Sequence, residues 1–180
     1  AIRDALRALG GRAFADSVEH ANPEPAAPVS RGDEFFAAPA VRGAVLHTSE
    51  GDMEWEFFTA DAPQTVKNFA ALAQKSYFDS AYVHRVVPDF VIQDGDPTGT
   101  GSGGPGYSIR CEYNLLRYET GMVGMALSGK DTGGSQWFVT LSPQPHLNGR
   151  YTIFARVTRG MDVARRITQG ARVYGVTLLR

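Results

Sequence analysis

A chain of 180 residues, 43% of them hydrophobic, can bury one substantial core but not two, so a single domain with an appendage is expected. A formal net charge of -1 excludes the excess of Lys and Arg that marks a nucleic-acid surface, and no run approaches the roughly 18 apolar residues a membrane-spanning helix needs. The single cysteine, Cys111, excludes an intrachain disulfide and a zinc site built on paired cysteines; it reads as a small packed side chain and leaves the compartment open.

Residues 1 to 11 read as a short helix, because Ile2, Ala5, Leu6 and Leu9 fall at i, i+3, i+4 and i+7 and Gly10-Gly11 supplies a stop. Ala13-Phe14-Ala15 imitates a signal-cleavage site, but Arg7 and Arg12 interrupt the apolar stretch such a signal requires, so a cytoplasmic location is slightly favoured over export. Asn22 to Pro39, rich in Pro and Ala, reads as a linker, with Phe35-Phe36 as a peg onto the domain surface. The chain opens on Ala1 rather than Met, so an upstream part is expected, and Ala1 to Leu9 read as the last turns of a helical domain there. Residues 1–40 are therefore assigned to an N-terminal helical and Pro-rich extension, and 41–180 to the compact domain.

That domain begins with a hairpin, Val41 to Thr48, the turn Ser49 to Asp52, then Met53 to Phe57, with Met53, Trp55 and Phe57 facing inward. Pro63 suits a first helical turn, and Val66, Phe69, Ala70 and Ala73 give Pro63 to Gln74 one buried stripe. Next, Tyr82 to Val87 and Phe90 to Ile92 are β-branched runs separated by Pro88-Asp89, which predicts strand, turn and strand, with Gln93 ending the second. Alternation sends Val83, Arg85 and Val87 to one face and His84 and Val86 to the other. Arg85 then needs a partner, and the Gln93 amide oxygen can accept from its guanidinium without adding charge, leaving other donors for a ligand.

Gly99 to Gly104 satisfies G-x-G-x-x-G, but Pro105-Gly106-Tyr107 continues into loop and strand where a dinucleotide site requires a helix, and no Lys-Ser or Lys-Thr follows for a P-loop. The glycines read instead as a loop needing positive φ and close backbone approach. Further strands are predicted at Met122 to Leu127, Gln136 to Leu141, Thr152 to Val157 and Val173 to Leu179, with a second helix from about Met161 to Thr168. Many short strands with few helices predict a mainly antiparallel β architecture, a closed barrel.

Four blocks now stand in order: His84 to Asp96, Gly121 to Ala126, Gly134 to Phe138, and His146 to Ala155. Together they resemble the cyclophilins, and the likeness spans about Val41 to Leu179. The resemblance implies a cyclophilin-like, eight-stranded antiparallel barrel capped by two helices, with the active site on an outer face. It also implies peptidyl-prolyl cis–trans isomerase activity in protein folding, without cofactor or metal. Expected partners are proline-containing peptides and unfolded or flexible segments, with weak cyclosporin binding, and the protein is expected as a monomer or the C-terminal domain of a larger chain.

The chemistry suits these residue types. Resonance raises the barrier about the X-Pro bond to about 20 kcal/mol, and in the twisted state the proline nitrogen regains a lone pair that a fixed donor stabilises. By resemblance Arg85 is that donor and Gln93 holds it. The proline pocket comprises Phe90, Val91, Phe138, Leu147 and Tyr151, with Gln136 and the backbone of Ala126 and Leu127 gripping the peptide and His146 as a further substrate-binding residue. Taken singly, the apolar members fit core packing, Arg85 a surface ion pair, and His84, on the other face, a structural role. Four positions depart from the best-known members: Leu127 stands for asparagine, His146 for tryptophan, Tyr151 for histidine and Val91 for methionine. The alternative is a non-catalytic module that docks proline segments as a scaffold or chaperone surface, for which the Arg85–Gln93 pair is dispensable.

Overall fold

The computed structural model describes residues 40–180. The expected N-terminal helix, the linker and the Phe35-Phe36 peg lie outside the described residues. Strands β1 (Gly43–Thr48) and β2 (Gly51–Phe57) form the first hairpin, and pairing of Thr48 with Gly51 shortens its loop to Ser49-Glu50, with Gly51 at φ 124°. Helix α1 (Pro63–Gln74) follows, matching the predicted bounds. Its first turn needs acceptors for unpaired N–H groups, and the Glu112 carboxylate accepts from the Gln64 and Thr65 amides and the Thr65 hydroxyl. A distant loop is thereby fastened to the helix.

Next come β3 (Ala81–Tyr82), β4 (Arg85–Val87), β5 (Val91–Asp94), β6 (Met122–Met125), β7 (Trp137–Thr140) and β8 (Ile153–Arg159). Helix α2 (Met161–Arg166) and β9 (Arg172–Leu179) complete the domain. All strand pairs are antiparallel, in a curled nine-stranded sheet of order β3-β9-β1-β2-β8-β6-β7-β5-β4. The fold is thus mainly β with two helices, as expected, but nine strands replace the eight expected, because the run Tyr82 to Val87 changes partner partway. Ala81 and Tyr82 pair with β9, whereas Arg85 to Val87 pair with β5.

That break corrects the expected alternation. Val83 is fully buried in the core, not on the face of Arg85, while Val86, on the face opposite Arg85, packs against the core. The following strand is also shifted: Phe90 lies in the turn, where Asp89 takes φ 57°, and β5 extends through Gln93 to Asp94.

Alternation along β5, β6 and β7 makes two apolar clusters from one sheet. Ile92, Val123, Met125, Trp137 and Val139 face inward and join Trp55, Phe69 and Phe154 in the main core, where the Trp55 and Trp137 rings meet edge-on at 5.1 Å. Val91 and Phe138 face the other way and pack with Tyr118, Leu147 and Ile153 into a second, smaller cluster. Cys111 departs from expectation, being only partly buried, and its Sγ accepts from the Asp131 amide across a loop contact.

Candidate active site

The smaller cluster is the floor of a groove on the outer face. Cross-strand pairing sets Arg85 opposite Gln93, Gln93 opposite Phe138, and Phe138 opposite Gly124, so one row of side chains crosses β4, β5, β7 and β6 on a single face. Above it opens a cavity of about 190 Å³ lined by Arg85, Phe90, Val91, Gln93, Ala126, Leu127, Phe138, Leu147 and Tyr151. Nine of the residues singled out from sequence are therefore brought together. The other two, Gln136 and His146, stand behind or beside the lining.

The polar side of the groove is a relay of hydrogen bonds. Arg85 Nη1 donates to Gln93 Oε1 at 2.9 Å, and Gln93 Nε2 donates to Gln136 Oε1 at 2.9 Å. Gln136 Nε2 in turn donates to the Gly101 and Gly103 carbonyls at 3.0 and 2.9 Å. Both amides are thus fixed in orientation, each accepting from one side and donating to the other. Arg85 is held at one point, stays exposed to solvent, and lies 5.6 Å over the Phe90 ring. His146 stacks on that ring at 5.6 Å.

Sequence reading missed three supports of this site. Asp96 organises the glycine-rich loop: its carboxylate accepts from the Thr98 amide and hydroxyl and from the Gly101 amide. Burial pushes that carboxyl up, but hydrogen bonds from Thr98, Gly103 and Gly101 together outweigh it and hold it at about 2. Tyr118 stacks beneath Phe138 at 5.5 Å, and burial raises its hydroxyl pKa. Gly124 leaves the space the Phe138 ring fills. Asp96 and Gly124 stood inside the matching blocks, but nothing in their residue types reveals what they touch. The loop glycines divide by cause: Gly95, Gly99, Gly101 and Gly106 take positive φ, whereas Gly103 packs against the Asp96 carboxylate.

Opposite the relay, Phe138 and Tyr151 meet edge-on at 5.7 Å, with Val91 and Leu147 filling the corner. A guanidinium facing an apolar slot is a donor beside a pocket for a compact apolar ring, carried on the outer face of a curled antiparallel sheet. The comparisons with known proteins agree. Residues 44–177 match the family model of cyclophilin-type peptidyl-prolyl cis-trans isomerases. Peptidyl-prolyl cis-trans isomerase B of Bacillus subtilis is 49% identical over 130 residues, covering 71% of this chain and 91% of the relative. A peptidyl-prolyl cis-trans isomerase of Synechococcus elongatus is 43% identical over 138 residues, covering 76% and 95%. A crystal structure of a cyclophilin-type isomerase from Cryptosporidium parvum superposes with TM-score 0.74 at 31% identity, covering 78% of this chain and 98% of that one. A second, obtained in the presence of the dipeptide Ala-Pro, gives 0.73 at 31% identity, covering 77% and 99%. The chain belongs to the cyclophilin-type peptidyl-prolyl cis–trans isomerase family.

Proposed function

We propose that the groove is where this isomerase accelerates rotation about X-Pro bonds of protein substrates, with Arg85 as the donor to the twisted proline nitrogen. The observation that carries the assignment is the Arg85–Gln93–Gln136 relay at the edge of the apolar slot. Docking alone would not require a guanidinium held in a fixed orientation, but a donor that must meet a lone pair present only in the twisted state does. The proline ring fills the slot of Phe90, Val91, Phe138, Leu147 and Tyr151, and the backbone of Ala126 and Leu127 holds the flanking peptide. Rotation needs no nucleophile. A millionfold acceleration corresponds to about 8 kcal/mol, which one charged hydrogen bond, an apolar pocket and immobilised peptide ends supply together.

Residues 81–87 act as one strand interrupted at Val83-His84, so that the sheet closes on itself as an eight-stranded barrel; the support is that its two end strands, β3 and β4, are consecutive in the chain. Residues 1–40 are an extension outside the catalytic unit, supported by the family match beginning only at Ala44.

The deciding experiment is exchange spectroscopy on one proline peptide. Arg85→Ala is expected to lower turnover by about a hundredfold while changing affinity far less, since a donor acting mainly in the transition state is worth about 3 to 4 kcal/mol. Phe138→Ala is expected to lower affinity and efficiency together, because the pocket wall contacts ground and twisted states alike. Equal losses of binding and turnover in Arg85→Ala would make Arg85 a docking residue, and wild-type protein without exchange would establish the binding-module alternative.

A further inference from the structure

Behind the Arg85–Gln93 pair, where β4 begins and β5 ends, lies a second pair that the rotation step does not use. His84 precedes Arg85 and Asp94 follows Gln93, so the ladder that sets Arg85 opposite Gln93 also brings these neighbours together. Their side chains are 6% and 1% exposed, and His84 Nδ1 lies 3.7 Å from Asp94 Oδ1. Among the described residues neither ring nitrogen of His84 nor Asp94 Oδ1 has a hydrogen-bond partner. Polar groups left so inside a core each cost about 1–3 kcal/mol, so the pair is a destabilising element unless a hydrogen lies between its two atoms.

The surroundings favour such a shared hydrogen. Burial raises the Asp94 carboxyl to about 6, the Gly95 and Asp96 amides partly offset that, and the Asp96 carboxylate adds to it. Burial lowers the His84 pKa, with Asp96 pulling it up and Arg85 pushing it down. Opposite Asp94 on β7 stands Trp137, which is uncharged, and the nearby Tyr77 hydroxyl accepts from Ser135. With the carboxyl protonated and the ring an imidazolium, hydrogens on both Oδ1 and Nδ1 and a net positive charge would meet in this space beside Arg85, so that state separates the two side chains.

The pair also reaches the relay from its far end. A β-carbon on Gly101 would lie 3.6 Å from His84 Cδ2, which places the imidazole against the loop residue whose carbonyl accepts from Gln136. Arg85, Gln93, Gln136, Gly101 and His84 thus form a closed circuit, and His84 is covalently joined to Arg85.

We propose that His84 and Asp94 are positioning residues for the isomerase centre. One hydrogen bridging Nδ1 and Oδ1, once the two atoms close from 3.7 Å to hydrogen-bond distance, seats the imidazole against Gly101 and so fixes the Gln136–Gln93–Arg85 relay from its buried side. Protonation of both the carboxyl and the imidazole at acid pH opens the pair and loosens the relay. The inference rests on Arg85 being the catalytic donor.

His84→Ala is expected to lower kcat about tenfold with peptide affinity changed less than twofold, since small misplacement of a donor is costly in rate rather than in docking. The wild-type pH profile of kcat/KM, taken on a peptide without titratable side chains, is expected to be level from pH 8 to about 6 and to fall below. The double variant His84→Gln/Asp94→Asn, in which an amide hydrogen replaces the shared one, is expected to recover most of the activity and to lose the acid fall. An unchanged kcat in His84→Ala, equal losses of kcat and affinity, or the same acid fall in the double variant overturns the inference. Should a variant fail to fold, the His84 ring resonances of the wild type decide: a ring still neutral at pH 6 agrees, and one titrating at or above 6.5 does not. That titration needs no activity, so it separates failure of the pair from failure of Arg85 as catalyst.

Discussion

Gly124 lies directly opposite Phe138 in the β6–β7 ladder, and a β-carbon there would collide both with the Phe138 ring and with the Tyr118 hydroxyl. The pocket floor is therefore a three-layer stack in which the missing side chain of β6 admits the aromatic of β7 and the tyrosine below it. Gly124→Ala is expected to destabilise the domain by about 1–3 kcal/mol through overpacking and to weaken proline-peptide binding, because Phe138 must be pushed into the slot. Thermal unfolding alongside a peptide titration checks this; an unaltered affinity would show that the stack yields toward Tyr118 instead.

Asp96 is expected to matter twice. Its carboxyl is held below the unfolded value of about 3.9, so its contribution to stability is complete above that value and is lost as pH falls toward about 2. The Tm difference between wild type and Asp96→Asn should accordingly be largest near neutrality and vanish near pH 2. Because the same carboxylate positions the acceptors of Gln136, Asp96→Asn should also lower kcat by about tenfold with little change in affinity. A Tm difference that persists in acid would place its origin in packing rather than charge.

By the resemblance to cyclophilins, His146 takes the place of a tryptophan, and here it stacks on Phe90 beside the pocket. The resemblance to cyclophilins implies that cyclosporin-type macrocycles use the indole donor and its flat apolar surface at this position, so inhibition of this protein is expected to be weak. Restoring one hydrogen bond and its packing in His146→Trp is worth about 1 to 3 kcal/mol, or roughly tenfold to a hundredfold in affinity. Inhibition titrations on both proteins test it, and equal potency would dismiss the role of this position.

A chain beginning at Gly32 is expected to fold and to keep most of the isomerase activity, since the family match begins only at Ala44. Circular dichroism and exchange measurements on that shortened chain suffice. Loss of either property would bring the preceding residues into the catalytic unit.

The sequence by itself determined the elements whose signal is local. The stripe of Val66, Phe69, Ala70 and Ala73 behind Pro63 predicted α1 to the residue, and inward Met53, Trp55 and Phe57 placed β2, because periodicity reports which face meets the core. The Arg85–Gln93 hydrogen bond was also legible, since one tight turn separates two strands and opposes those positions. What sequence could not supply depends on which distant segments become neighbours. The break at Val83 arises because β9 and β5 claim different parts of one apolar run, and nothing within that run records two partners. Gln136 joins the relay only because β7 lies beside β5, and the glycine loop matters to it only because Asp96 folds that loop back beneath the Gln136 amide. The buried meeting of His84 and Asp94 is likewise a product of strand register, which sets Arg85 opposite Gln93 and so brings their neighbours, ten residues apart, within 3.7 Å.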